Sequence, residues 1–208
     1  MDLELAETAA DTSLSRRRLV TAAGATGLAG LAAAFVMDRN ALVAASAPDE
    51  ATRRPTDADM ALLAQVIGLE LAASDLYRAA GENASEDLAV AIGVMGDNHR
   101  AYAEAIAGIT GMSARGRNDD VYDANIDGFT GSNDDFFLTA HTLEQVAVAT
   151  HSDLMQQYES LHAIELTASI AVVEARHATV LADLLGIDDL DVLFGNEESP
   201  LELTGEDA

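Results

Sequence analysis

The sequence predicts an all-α fold, a four-helix bundle with a long connection between its second and third helices. The chain has 208 residues, of which 49% are apolar, enough for one domain with a substantial core. Alanine, leucine and valine dominate, while aromatic residues make up only 4%, a balance that favours closely packed helices over stacked sheets. The three prolines, Pro48, Pro55 and Pro200, all lie outside the middle of the chain, so long uninterrupted helices are expected.

The amino-terminal segment, residues 1–47, has the order of an export signal. Arg16 and Arg17 precede an apolar run over 21–37, and Ala-Ser-Ala follows at 45–47. This order predicts a signal peptide, and the paired arginines resemble the twin-arginine type, which carries proteins that have already folded. We therefore expect export to the cell surface or the outside of the cell. An uncleaved segment would instead be a membrane anchor, the one membrane contact that the sequence suggests.

Capping residues and helix breakers predict the boundaries that follow. Thr56 marks the start of the first helix, Ser85 that of the second, and Gly186 stops the fourth. The glycine-rich connection shows no helical periodicity, and the acidic tail is expected to be loosely held. In order, the predicted segments are linker 48–55, helix 56–80, loop 81–84, helix 85–110, connection 111–133, helix 134–158, turn 159–162, helix 163–185 and tail 187–208, with the bundle over 56–186.

Each predicted helix carries a glutamate or a histidine near the middle of its apolar face. The fourth helix carries both, Glu174 and His177, three residues apart and therefore on one face. A carboxylate on a buried stripe is costly unless something pairs with it, and a bound metal ion is one such partner. The candidate metal ligands are Glu70, His99, Glu144, Glu174 and His177.

The spacing within each helical hairpin brings these residues to one depth. Glu144 and Glu174 are each 15 residues from position 159 in the second turn, and Glu70 and His99 are centred between positions 84 and 85 in the first. Residues equidistant from a turn lie side by side, and a two-residue error moves them by only about 3 Å. The sequence thus predicts a metal site at mid-length. A network of carboxylates and imidazoles that bind each other without metal is the alternative.

Four stretches of sequence surround these candidates: Leu69-Glu70 with Tyr77, residues 98–102 (NHRAY), residues 143–151 (LEQVAVATH) and residues 173–178 (VEARHA). Together they resemble the ferritin-like superfamily, and more closely its exported ferritin-like domain-containing proteins, over about residues 56–186. The superfamily plan takes one Glu from each of two helices and a Glu-x-x-His pair from each of the other two. On this resemblance Glu70 and Glu144 match the single acids, and Glu174 with His177 matches one pair.

The second helix departs from that plan, since Gly96 stands three residues before His99, where the superfamily has a Glu. That carboxylate commonly bridges two ions in the superfamily, so its loss leaves one ion and two ions as alternatives. His141 and His151 flank Glu144 and could replace the missing ligand, although we interpret them as supporting or core residues. A mixed carboxylate and imidazole set suits iron or manganese, with zinc as a weaker alternative.

Charge and composition exclude several classes of function. The net charge of −25 repels nucleic acid and anionic membranes, and the absence of cysteine excludes disulfides and thiolate sites.

A D-x-N-x-D-G pattern at 123–128, with Asp134 at the twelfth position, resembles a calcium loop. Calcium is nevertheless not expected, because the last ligand is Asp rather than Glu and no helix clearly precedes the pattern. Metal ions are the expected partners, and a homodimer is compatible with the sequence.

Two functions fit this sequence. The first is an exported protein that binds one or two ions of iron or manganese and either has oxidative or peroxide-removing activity or merely holds the metal. The second is a non-enzymatic bundle with a degenerate metal site, acting as a binding or stress-protective module at the cell surface. The intact pair of Glu174 and His177 favours the first interpretation, and Gly96 favours the second.

Overall fold

The structure, a computed structural model, describes residues 53–82 and 84–203. All regular elements of this part of the chain are helices, which confirms the all-α prediction. The predicted signal peptide, 1–47, lies outside the described residues. The helices are α1 (Asp57–Gly81), α2 (Glu86–Thr110), α3 (Asp119–Phe129), α4 (Asn133–Gln157), α5 (Leu161–Leu184) and α6 (Leu190–Phe194).

Reciprocal side-chain caps start two of the four long helices. The Thr56 hydroxyl accepts a hydrogen bond from the backbone N–H of Asp59, whose carboxylate accepts one from the N–H of Thr56 in return. Ser132 and Asp135 form the same arrangement at the start of α4. Ser85 lies at the predicted N-cap of α2, but its side chain makes no capping hydrogen bond.

The long helices form two antiparallel hairpins, α1 with α2 and α4 with α5, which pack against each other through fewer contacts. Two apolar clusters fill opposite ends of this bundle. The first cluster packs residues of α2, α4 and α5 around residues 62–71 of α1. The second packs residues of the other helices around residues 76–80 of α1. The polar residues at mid-length therefore lie between two regions of closely packed apolar side chains.

The connection between the hairpins contains a helix, α3, so the prediction of a structureless connection was wrong. Asn118 caps this helix by accepting a hydrogen bond from the N–H of Val121. Tyr122, Ile126 and Phe129 then share one face and pack against the second apolar cluster. Three apolar positions on an acidic helix of 11 residues are too few for clear periodicity, and this is why the sequence did not reveal it.

The helical conformation of α3 also bears on the calcium pattern at 123–128, all of which lies inside the helix. Asn125, a candidate ligand of that pattern, donates its side-chain N–H to the backbone oxygen of Val121. A calcium loop must curl so that successive side chains converge on the ion, whereas a helix directs them around its circumference. The pattern is therefore not folded as a calcium loop.

The tail that follows α5 is attached to α4 rather than loosely held over its described length. Gly186, at a φ of 72°, ends α5 in the left-handed conformation expected of a helix stop. Asn196 then donates to the backbone oxygen of Gln145 over 2.8 Å, and the N–H of Leu201 donates to Thr150 Oγ1 over 3.0 Å. The tail thus runs beside the middle of α4.

Helix α1 is long and apolar enough to cross a membrane by length and composition alone, with a mean hydropathy of 1.3 over 18 residues. However, 61% of that window is buried inside the protein. A central helix of a globular bundle meets the same criterion, and α1 contributes to both apolar clusters.

Asp59 joins the first hairpin to the turn of the second. Besides its cap on α1, its carboxylate accepts hydrogen bonds from the backbone N–H groups of Glu159 (2.8 Å) and Ser160 (3.1 Å). Asp59 is only 1% exposed, so these charge-assisted bonds are made away from water. They hold the α4–α5 turn against the start of α1.

We expect Asp59→Ala to lower the free energy of unfolding by about 3 kcal/mol, because it leaves buried N–H groups without an acceptor. Chemical denaturation followed by circular dichroism measures the change. Asp57→Ala is the matched control, since Asp57 lies in the same first turn but is exposed, and its effect should stay within about 0.5 kcal/mol. Equal effects of the two substitutions would contradict the role given to Asp59.

Candidate metal centre

All five predicted ligands lie close together in the middle of the bundle. One comes from α1, one from α2, one from α4 and two from α5, so each long helix contributes. None is more than 6% exposed, and Glu144 is fully buried. The members of the cluster are Glu70, His99, Glu144, Glu174 and His177.

His99 connects the two hairpins. Its Nδ1 lies 2.8 Å from Glu70 Oε2, the partner predicted from the first hairpin, and its Nε2 lies 3.2 Å from Glu144 Oε1. Because both ring nitrogens face carboxylate oxygens, the ring donates to both when it is protonated. His177 approaches the same Glu144 oxygen through Nδ1, at 3.2 Å.

His151 belongs to the cluster as well, although the sequence placed it among the supporting residues. Its Nε2 lies 3.0 Å from Glu70 Oε1 and 3.2 Å from Glu174 Oε1. His151 follows Glu144 by seven residues, two turns of one helix face, and that spacing is the signal that could have identified it. His141, the other flanking histidine, is buried but takes no part in these hydrogen bonds.

Tyr77 supports the cluster from α1, two helical turns after Glu70. Its hydroxyl donates a hydrogen bond to Glu144 Oε1, and its ring stacks on the imidazole of His99 with 5.5 Å between the ring centroids. Tyr77 is fully buried, so it fixes both neighbours in place. Asn98 helps to fix the imidazole of His177, because its Nδ2 lies 3.1 Å from His177 Nε2.

Gly96 stands where the superfamily plan has a carboxylate, and the structure gives a steric reason for glycine there. A Cβ atom at this position would lie 3.0 Å from Tyr77 Cβ, closer than side chains normally approach. Tyr77 Cβ is fixed to the α1 backbone, so it has little freedom to move away. A side chain at position 96 therefore requires α1 and α2 to move apart by a few tenths of an ångström.

The pKa values within the cluster follow from burial and close opposite charges. Burial favours neutral carboxyls, yet His151 and His99 lower the pKa of Glu70, and His99 and His177 lower the pKa of Glu144 to about 2. Burial likewise opposes charge on the imidazoles, but the carboxylates outweigh it. They raise the pKa of His99 well above its usual value and the pKa of His151 to about 10.

Glu174 differs from the other two glutamates. Its burial, together with repulsion from the nearby Glu70 carboxylate, raises its pKa despite the attraction of His151. Without metal, the carboxylates of Glu70 and Glu144 thus favour their charged form, as do the imidazoles of His99 and His151. Opposite charges placed together in this way offset part of the cost of burying them.

The donor set fits a metal ion. Among the described residues, two groups of three side chains bring their ligand atoms within 4.8 Å of one another: His99, Glu144 and His177, and Glu70, His99 and Glu174. Glu144 Oε2 and Glu174 Oε2 are buried and receive no hydrogen bond from any described residue. A buried carboxylate oxygen without a donor is costly, and a cation satisfies it. The cluster is therefore compatible with a metal site.

A small cavity of about 30 Å³, partly open to solvent, adjoins the cluster between α1, α3, α4 and the tail. It has room for about one molecule of the size of water. Apolar side chains, among them Leu69, Val121, Leu143 and Leu201, line it together with glutamates and histidines of the cluster. Leu201 belongs to the tail segment attached to Thr150, so the tail forms part of this wall.

We expect the metal-free protein to be less stable at about pH 9 than at about pH 6. The pKa of His151 is raised from 6.5 in the unfolded chain to about 10 in the folded protein. Its ion pairs therefore stabilise the fold fully below pH 6.5, and this stabilisation is lost as the pH rises through about 10. Glu144, whose pKa is lowered, has the opposite effect at low pH: the stability that its charged form contributes is lost as the pH falls from 4.5 through about 2. Denaturation of metal-free protein across this range measures the change, and equal stability at both values would contradict the ion pairs.

Comparison with known families agrees with the architecture. The family model described as Ferritin-like domain matches residues 58–187, more than half of the chain and nearly the whole of the predicted bundle. No curated protein and no solved structure gives a significant match. With four long helices in two hairpins and a buried glutamate and histidine cluster at mid-length, the chain belongs to the ferritin-like domain family.

Proposed function

We propose that this protein binds iron or manganese in the core of its bundle and is exported by the twin-arginine route. The observation that carries the metal proposal is the pair of buried carboxylate oxygens, on Glu144 and Glu174, that lack a hydrogen-bond donor among the described residues. The predicted signal at 1–47 supports export to the cell surface or beyond. The proposed ligands are Glu70, His99, Glu144, Glu174 and His177.

The chemistry of the donor atoms supports the choice of metal. Carboxylate oxygens and imidazole nitrogens together suit iron and manganese, while the chain has no cysteine to favour softer ions. A redox-active ion held there would supply the electron transfer for the oxidative or peroxide-removing activity that we propose. The substrate is then limited to small molecules, because the adjoining cavity holds only about 30 Å³.

The protein's own residues contribute protons, orientation and exclusion of water. Tyr77 donates to Glu144 and stacks on His99, so it orients two proposed ligands at once. Glu174, whose pKa is raised by burial and by Glu70, accepts a proton more readily than the other two glutamates of the cluster. The apolar clusters at both ends of the bundle keep bulk water from these groups, which strengthens every electrostatic contact among them.

A second candidate function is a metal-free bundle that serves as a binding or stress-protective module. Two observations favour it: Gly96 replaces the carboxylate of the superfamily plan, and the glutamates and histidines already pair with one another. In this case the cluster would be a structural network whose charges balance without an ion.

Metal analysis of protein purified from its own host separates the two candidates. We expect about two equivalents of iron or manganese for two occupied positions, and one equivalent if only one is used. Glu174→Gln should remove at least one equivalent, because it replaces a charged oxygen ligand by a neutral amide. Glu165→Gln, an exposed acid on the same helix, is the control and should leave the metal content unchanged. No bound metal, even after reconstitution with Fe²⁺ or Mn²⁺, would favour the metal-free candidate.

Metal binding should also release protons. The carboxylates favour protonated His99 and His151 in the metal-free protein, and His99 must lose its proton on the ligating nitrogen to bind an ion. Calorimetric titration with Mn²⁺ in buffers of different ionisation enthalpy measures the number released. We expect at least one proton per ion and an affinity that rises with pH. Binding enthalpies that do not depend on the buffer would count against ligation by these histidines.

A further inference from the structure

The two possible metal positions compete for one imidazole. Both groups of three ligand-type residues include His99, one with Glu144 and His177 and the other with Glu70 and Glu174. A neutral imidazole has one free lone pair, because its other nitrogen carries a hydrogen. His99 can therefore bind one ion as a neutral ligand, and the other position needs a different nitrogen.

His151 has the contacts that this second position requires. Its Nε2 lies 3.0 Å from Glu70 Oε1 and 3.2 Å from Glu174 Oε1, so it touches both carboxylates of the group that shares His99. Two ligands at right angles around an ion, with bonds of about 2.1 Å, lie about 3 Å apart. Both distances from His151 Nε2 are therefore those of neighbouring ligands on one ion.

Hydrogen bonding alone satisfies only part of this arrangement. A single N–H directs one hydrogen along one line, and it faces two carboxylate oxygens on different helices. A metal ion in place of that hydrogen would be bound by both carboxylate oxygens and by His151 Nε2. Glu174 Oε2, which lacks a donor among the described residues, lies on one of these two carboxylates.

Gly96 explains why a histidine on α4 would take this role. The superfamily plan supplies a further carboxylate from α2 three residues before His99, but a Cβ atom at Gly96 would lie only 3.0 Å from Tyr77 Cβ. His151 comes from α4 instead, two helical turns beyond Glu144, and it is only 3% exposed. The imidazole nitrogen of His151 on α4 then takes the place of the carboxylate oxygen that α2 supplies in the superfamily plan.

We infer that His151 is a metal ligand, which with Glu70 and Glu174 forms a second metal position beside the one formed by His99, Glu144 and His177. This inference rests on the proposed metal binding and adds a ligand to it. It assigns one carboxylate and two imidazoles to one position, and two carboxylates and one imidazole to the other. His99 then serves one ion only.

The first test compares Mn²⁺ stoichiometry in His151→Gln and His141→Gln after reconstitution and removal of free metal. His141 is a matched control, since it is a buried histidine of the same helix outside the hydrogen-bonded cluster. We expect about two equivalents in the wild type and in His141→Gln, and about one in His151→Gln. Unchanged stoichiometry in a folded His151→Gln protein would overturn the inference. No metal in the wild type would overturn the proposed function itself.

The second test needs no variant and therefore does not depend on whether His151→Gln folds. The chain has five histidines, so their ring nitrogens can be resolved by NMR in protein labelled with ¹⁵N-histidine. On addition of Zn²⁺, a diamagnetic probe, we expect large shifts of one ring nitrogen each in His99, His151 and His177. His141 and His162 should not shift in this way. Shifts of His99 and His177 without His151 would exclude His151 as a ligand while leaving the metal site intact.

Discussion

Pairing between carboxylates and imidazoles inside the bundle is the interaction on which the rest of the structure depends. Glu70, Glu144 and Glu174 are buried between two apolar clusters, where an unpaired charge would cost more than a domain of this size can tolerate. His99 and His151 offset that cost by joining residues of different helices. The same pairing joins the two hairpins, because His99 of α2 contacts Glu144 of α4 and His151 of α4 contacts Glu70 of α1.

The part of this arrangement that lies within one hairpin could be predicted from the sequence. Helices rise by a fixed amount per residue and short turns leave little freedom, so Glu70 and His99 had to meet once the first turn was placed. The helix starts followed from local capping at Thr56, where the side chain bonds the neighbouring backbone. These features depend on short-range geometry, which residue spacing records directly.

Features that depend on how side chains pack, rather than on residue spacing, could not be predicted. His151 has the same local surroundings as any histidine on an apolar helix face, and only the position of α1 and α5 shows that it meets Glu70 and Glu174. The steric role of Gly96 likewise requires knowing that Tyr77 lies against it. Helix α3 was missed because most of its apolar contacts are made to other helices, which leaves a short acidic sequence with little periodicity of its own.

The apolar walls of the cavity beside the cluster have a consequence for how the site is filled. A divalent cation sheds tightly held water when it leaves solution, and side chains such as Leu143 and Leu201 offer no replacement for that hydration. Neutral molecules of the size of water meet no such barrier. A cation that enters by this opening therefore loses hydration before it reaches the carboxylates of the cluster, and uptake while the hairpins are coming together would avoid part of that cost. The occupant of the core would then reflect the compartment in which the chain folded.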